Sequence, residues 1–296
     1  MIQNQSSPAP TRLRALLNVQ SATIVLATAG VFGAMVDLPV PAVIASRAAI
    51  AVPGVCVIAM LRGNSLKLRP NRETALLVFT GVLLAVHWVT YFHSVRVSSV
   101  AIGSLVTFSF PVMTAIAEPF VFGERYRWYT IVNALLIVVG MAVISEIYIG
   151  RSVVLEGVVW GLISATLYTA RNLISRNMAT ADDAERVMVT QLLVVAMVLS
   201  FFLFTADWSS LKFADWSVLV LLGLLSTAVG HTLFIRALNR VGAATASIGV
   251  GLQPVYAAVL AYFLIREIPT VSTLLGAIFI LGAVLHQSAR RLRETG

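Results

Sequence analysis

Residues 87–97 read HWVTYFHSVRV, and residues 231–241 read HTLFIRALNRV. His87 meets His231, Arg96 meets Arg240 and Val97 meets Val241 at an offset of 144. After a one-residue slip, Pro111 matches Pro254, Phe120 matches Phe263 and Glu124 matches Glu267 at an offset of 143. These stretches lie among ten long apolar runs, five per copy. Five is odd, so two copies joined end to end must sit upside down relative to each other. That arrangement is common among secondary transporters.

Composition supports the same class. Hydrophobic residues make up 58% of the 296 and charged residues only 11%, against about 25% charged in soluble domains. The mean hydropathy is +0.90. A membrane-spanning helix needs about 20 apolar residues. Uncharged stretches of that order fall at 15–36, 74–95, 97–117, 128–145, 187–206, 216–235, 241–265 and 268–289. Two more runs carry one internal arginine each, 38–61 with Arg47 and 157–175 with Arg171.

The net charge of +8 raises nucleic acid as a partner, but its distribution argues against that. Ten spans put both ends on one side. With that side cytoplasmic, sixteen of the 21 Lys and Arg fall inside; only Arg96, Arg151, Lys212 and Arg266 fall outside, and Arg47 is within a span. This is the positive-inside bias of a multi-pass membrane protein. The expected organisation is a disordered cytoplasmic tail over 1–14, a first repeat over 15–146 (helices 1–5), an external linker over 147–156, a second repeat over 157–289 (helices 6–10) and a basic cytoplasmic tail over 290–296. The first span is too long for a signal-peptide core and is read as a retained helix. The single cysteine, Cys56, excludes an intrachain disulfide or a thiolate metal cluster. No HExxH, G-x-S-x-G or P-loop pattern occurs, and the loops leave no room for a soluble catalytic domain. No enzyme activity, cofactor or metal is expected.

Within the spans, Pro111 and Pro254 are the strongest local pointers. Each sits near the middle of its span, removes a backbone donor and leaves the carbonyl four residues earlier, Thr107 or Val250, without its partner. Matching breaks in two halves point to a binding site at the repeat interface, although a packing kink is the alternative. His87 and His231 lie on opposite sides of the midplane, about 6 Å from it. They are candidates for substrate contact or proton coupling, or for a hydrogen bond between helices. Arg47 could hold a carboxylate through a bidentate contact, or could snorkel. Arg171 could snorkel inward beside Asn172, and Glu118 is expected to pair with Arg125 or Arg127, with a coupling carboxylate as the alternative. Trp88, Tyr91, Gln253 and Tyr256 are expected to line the cavity. Ser98-Ser99 is expected to cap the fourth span. Gly157 and Gly161 form a small-residue packing pattern. Trp160, Trp208 and Trp216 fit an interfacial belt.

The run His231–Ser247, then Gln253-Pro254-Val255, Arg266-Glu267 and Gly276 through Gly282, resembles the EamA-like family of the drug/metabolite transporter superfamily. Phe92, Ser98-Ser99-Val100-Ala101, Pro111 and Gly123-Glu124 carry the likeness in the first half. The resemblance spans roughly 20–288. It implies an all-α membrane protein with ten transmembrane helices as two inverted five-helix repeats, and a central cavity built mainly by spans 1–4 and 6–9. Family members move amino acids and related metabolites, often outward. The chain has no acidic residue in its first span, so the membrane carboxylate of the small four-helix multidrug relatives does not carry over.

The resulting expectation is an exporter of amino acids, aromatic or branched, or of related small metabolites, in a bacterial inner membrane. It would work by alternating access and be open to proton coupling. A carrier of drugs, toxic cations or nucleotide-linked sugars is the alternative within the superfamily. A non-transporting membrane module or lipid-modifying enzyme is the alternative outside it.

Overall fold

The computed structural model describes residues 9–68, 71–123, 127–144, 152–175, 184–233 and 251–295. Among them the chain is helical throughout, as a bilayer requires: with no water to satisfy N–H and C=O groups, the backbone must satisfy itself. The elements are α1 (Ala9–Met35), α2 (Val40–Arg62), α3 (Arg72–Val97), α4 (Val100–Thr107), α5 (Phe110–Phe122), α6 (Trp128–Ile144), α7 (Ser152–Ser175), α8 (Ala184–Val198), α9 (Phe201–Thr205), α10 (Phe213–Leu221), α11 (Gln253–Ile265) and α12 (Val271–Thr295). A π-helix over Leu222–Val229 continues α10. Five of the resulting rods are long and apolar enough to cross a membrane by themselves: Val40–Arg62, Arg72–Val97, Val100–Phe122, Phe213–Leu233 and Val271–Arg290.

The fourth span is α4 followed by α5, parted at Phe108-Ser109. The seventh is α8 followed by α9, and the tenth is α12. Three boundaries differ from expectation. α1 starts at Ala9, within the segment read as a disordered tail; α7 starts at Ser152, within the external linker; and α12 continues to Thr295, through the basic tail. A charged turn costs little once an apolar stretch has nucleated the helix, so composition marks where the membrane ends rather than where the helix does.

The packing repeats with the sequence. Spans 2 and 7, 4 and 9, and 5 and 10 pair with each other. The remaining main contacts come in couples: span 3 on 6 with span 8 on 1, span 3 on 7 with span 8 on 2, and span 1 on 9 with span 6 on 4. Exchanging the two halves maps this set onto itself, the signature of a pseudo-twofold axis. Local backbone agrees. Gly123 closes α5 with a left-handed φ of 69°. Arg266, its counterpart at offset 143, closes α11 with φ 57°, a conformation unusual for a residue with a Cβ.

The outward faces are apolar, with Phe120, Leu135, Val138, Phe263 and Ile278 exposed, whereas Arg47, His87, Glu118, Asn133 and Gln191 are buried. That inversion of a soluble protein's pattern suits a chain whose polar groups face an interior. Gly33 in α1 lies flat against the Phe92 ring, where a Cβ would overlap it. The bare backbone there lets α1 close onto the aromatic face of α3. Gly157 and Gly161 press α7 against Ser94 and Ser98 in the same way, and Ser94 Oγ donates to the Gly157 carbonyl at 2.6 Å.

Candidate functional site

The two prolines act as their chemistry dictates. Pro111 opens the first turn of α5 and Pro254 that of α11, where a missing N–H costs nothing. The break ahead of Pro111 leaves the Thr107 carbonyl without its usual donor. The Thr107 hydroxyl is also buried, with no hydrogen-bond partner among the described residues. Val250 lies outside the described residues.

The end of the bundle called outer by charge bias is tied by Arg96 and Glu267, residues that recur in both repeats. Arg96 donates to the Leu38 and Val36 carbonyls, the latter at 2.6 Å, and so closes the C-terminal end of α1. Glu267 accepts from the N–H groups of Val100 and Ala101 at 2.9 and 3.0 Å, and Ser99 Oγ accepts from Ile102 N–H at 3.1 Å. A carboxylate from span 9 therefore caps the N-terminus of α4, beside the serine cap expected from sequence. Between these groups lies a polar cavity of about 430 Å³ lined by Asp37, Val95, Arg96, Ser98, Ser99 and Glu267, among others. Its repeat-related partners Glu124 and Arg240 lie outside the described residues.

One turn deeper than Val95 on α3, the Tyr91 hydroxyl meets Ser104 Oγ at 3.0 Å. Another turn deeper are Trp88 on α3 and Thr107 on α4. Here Arg47 of α2, only 2% exposed, lies over the Trp88 ring with Cζ 4.1 Å from its centroid, and 5.5 Å from that of Phe92. Its Nε donates to Thr227 Oγ1 at 2.6 Å. Thr227 in turn donates its only hydroxyl proton to the Leu222 carbonyl, five residues back, at 2.7 Å. Toward Arg47 it can therefore only accept. That carbonyl lies at the start of the π turn, a feature frequent at functional sites. Both terminal nitrogens of Arg47 have no hydrogen-bond acceptor among the described residues. Thr227, Trp88 and Phe92 meet the guanidinium, and among the described residues nothing accepts from its terminal edge, the one that fits a carboxylate. His231 completes the group, its ring 6.2 Å from that of Trp88.

His87, one residue from Trp88, turns to a different neighbour. Its Nδ1 lies 3.0 Å from the Ser164 carbonyl and 2.8 Å from Ser164 Oγ, which itself donates to the His87 carbonyl at 3.1 Å. The ring stacks on Tyr168 at 4.6 Å, and Tyr168 meets Phe110 edge-on at 4.6 Å. Below Tyr168, Arg171 does not snorkel. It reaches across to α8, donating to Gln191 Oε1 at 2.6 Å and to Asn172 Oδ1 at 3.2 Å. Gln191 also donates to Thr80 at 2.9 Å.

The structure thus brings Arg47, Trp88 and His231 together. Tyr91 and Tyr256 pack on one apolar cluster of α1, α3, α4 and α11, and the Tyr256 hydroxyl donates to Gln20 Oε1 at 2.8 Å. His87 belongs to the neighbouring Ser164–Tyr168 group. Gln253 is half-buried beside Pro254 and is not joined to the others by a hydrogen bond. Sequence reasoning missed Thr227, Phe92, Tyr168 and Ser164. Thr227 lies one turn before His231 and shared its signal of a polar group in an apolar span. The apolar groove of about 310 Å³ between α4, α11 and α12 opens onto exposed lipid-facing residues and carries no polar chemistry. No group of three or more His, Cys, Asp or Glu among the described residues could hold a metal ion.

Comparison with known proteins fits this geometry. The profile of the EamA-like transporter family matches twice, over residues 13–146 and 155–287. The chain is 24% identical over 224 residues to an uncharacterized transporter, YxxF, of Bacillus subtilis (strain 168), covering 75% of this chain and 72% of that protein. A crystal structure of a protein 18% identical in sequence superposes with a TM-score of 0.66 over 95% of this chain and 99% of that one, a likeness of fold alone.

Proposed function

This chain belongs to the EamA-like transporter family, and from that premise we propose that it is a secondary active or facilitative transporter that exports amino acids, aromatic or branched, or related small metabolites by alternating access. Its partners are a small-molecule substrate and the lipid bilayer, and the family and its named relative are transporters rather than enzymes. In this reading the membrane is the bacterial inner membrane with both termini cytoplasmic. Residues 15–146 and 157–289 are the two repeats that rock against each other. The substrate sits between the breaks at Pro111 and Pro254. Trp88, Tyr91, Gln253 and Tyr256 line its path, and Arg47, His231 and His87 supply polar contacts.

One observation carries the reading: a buried arginine held by Thr227 and set against two aromatic rings, with no acceptor among the described residues for its forked edge. An unpaired charge at this depth is costly, and a site that is emptied and refilled is a physical reason to retain it. Transport into vesicles reconstituted with the purified chain, against a panel of amino acids and their carboxylate derivatives, tests it. Flux above empty vesicles is expected for at least one aromatic or branched member. Uniform failure across the panel sinks the assignment. Proton coupling is carried by His87 or His231 in this scheme. A pH profile unchanged in both His87→Ala and His231→Ala removes it.

A further inference from the structure

We propose that the central site selects organic anions: a carboxylate on an apolar or aromatic body, with no ammonium subsite. The inference rests on the exporter reading above and narrows the substrate within it. Three observations support it.

The first is the open edge of Arg47. Planar guanidinium forks match carboxylates with two parallel hydrogen bonds, and Thr227 holds Nε so that the remaining edge is presented in one orientation. The second is the charge inventory. Arg47 and Arg171 are both met by neutral side chains, Thr227 in one case and Gln191 with Asn172 in the other. Among the described residues, Glu267 is bound to the α4 N-terminus and Glu185 to Arg62 and Asn64, and buried Glu118 lies further along span 4, beyond the break. No hydrogen bond among the described residues joins a carboxylate to either guanidinium, and an ammonium arriving at Arg47 meets a like charge, which a low-dielectric site repels strongly. The third is the tryptophan. An aromatic face is the other common receptor for a cation, but Trp88 already has Arg47 over it. The Thr107 hydroxyl, 5% exposed and unpartnered among the described residues, adds a neutral hydrogen-bonding group at the break and no charge.

Three probes sharing one indole ring separate the possibilities: indole-3-acetate as the anion, tryptophan as the zwitterion and tryptamine as the cation. Binding is read by calorimetric titration of the full-length chain in lipid nanodiscs, with thermal unfolding as the check on folding. Indole-3-acetate is expected to bind about 10-fold or more tightly than tryptophan, and tryptamine weakest of all. Arg47→Gln should lose about 30-fold or more of the anion affinity. Arg47→Lys, which keeps the charge but not the fork, should recover part of it; this variant also decides the matter if the glutamine variant unfolds. Tryptophan binding more tightly than indole-3-acetate overturns the anion inference while the amino-acid exporter stands. Tryptamine binding as well as the anion overturns it, as does a folded Arg47→Gln that keeps wild-type affinity. Failure of all three probes overturns the inference too, leaving the exporter reading to the vesicle panel.

Discussion

Arg47 and Arg171 are both arginines inside apolar spans, and they solve the same problem differently. Arg171 finds side-chain acceptors on its own helix and on α8, at 3.2 and 2.6 Å. Arg47 finds one acceptor and two aromatic rings and keeps its outer edge unused. A guanidinium bound on several sides is a strut between helices. One held at Nε and set against two rings suits the receptor proposed above. The charge is the same, but Arg47 is buried and Arg171 half-buried; among the described residues Arg171 has two side-chain acceptors and Arg47 one.

The largest effect on stability should follow from removing the strut's acceptor. Gln191→Leu leaves the Arg171 Nη2 donor unsatisfied and should cost about 1.5–3 kcal/mol, the worth of a hydrogen bond to a charged group. Thermal unfolding in detergent reads this, while half-saturating substrate concentration should stay near wild type. A variant as stable as wild type, or one with weakened substrate binding, breaks the distinction. Thr227→Val should do the reverse. The stacked guanidinium keeps its place but loses its aim, so half-saturation should rise about fivefold, equivalent to about 1 kcal/mol, with a smaller loss of stability than Gln191→Leu. Thr227→Ser should restore the wild-type value; equal effects from valine and serine would show that the hydroxyl aims nothing.

The smallest effect lies at the inner face, where Glu185, ahead of the membrane-embedded part of its span, joins the repeats through Arg62 and Asn64, the latter at 3.0 Å. Burial pushes its carboxyl up, but the bonds from Asn64, its own backbone and Arg62 outweigh this and hold it below the usual carboxylate range. A lowered folded-state value means that its contribution is complete above the ordinary carboxylate range and is lost as pH falls through the lowered value. Glu185→Gln should therefore narrow the difference in unfolding temperature between neutral and acidic pH. An unchanged acid limb would show that the contact is idle.

The features legible in sequence were those fixed by one residue's own chemistry. A proline is best tolerated in the first turn of a helix, and Pro111 and Pro254 sit there, although Pro53 and Pro119 lie inside α2 and α5. A serine before an apolar run must cap, and Ser99 does. A motif's spacing located Glu267 but not its partner, because the N–H groups it caps belong to the other repeat, 166 and 167 residues away. Arg171 was misread for the same reason: snorkelling is the solution available to an isolated helix, and Gln191 arrives only on packing. Thr227 was invisible as a ligand of Arg47 because its orientation depends on a π turn, and hydrophobic periodicity assumes 3.6 residues per turn throughout.

That turn has a further consequence for how the chain tolerates change. A wider turn takes up a residue more than the α-helix around it, so Leu222–Val229 is where the eighth span stores surplus length. Removing one residue there would let the rod close as an ordinary α-helix. The same deletion in the regular helix to either side would instead swing everything beyond it by about 100° relative to everything before, parting His231 from Trp88 without altering either side chain. In this span the count of residues, as much as their identity, sets the angle at which two halves of a receptor face each other.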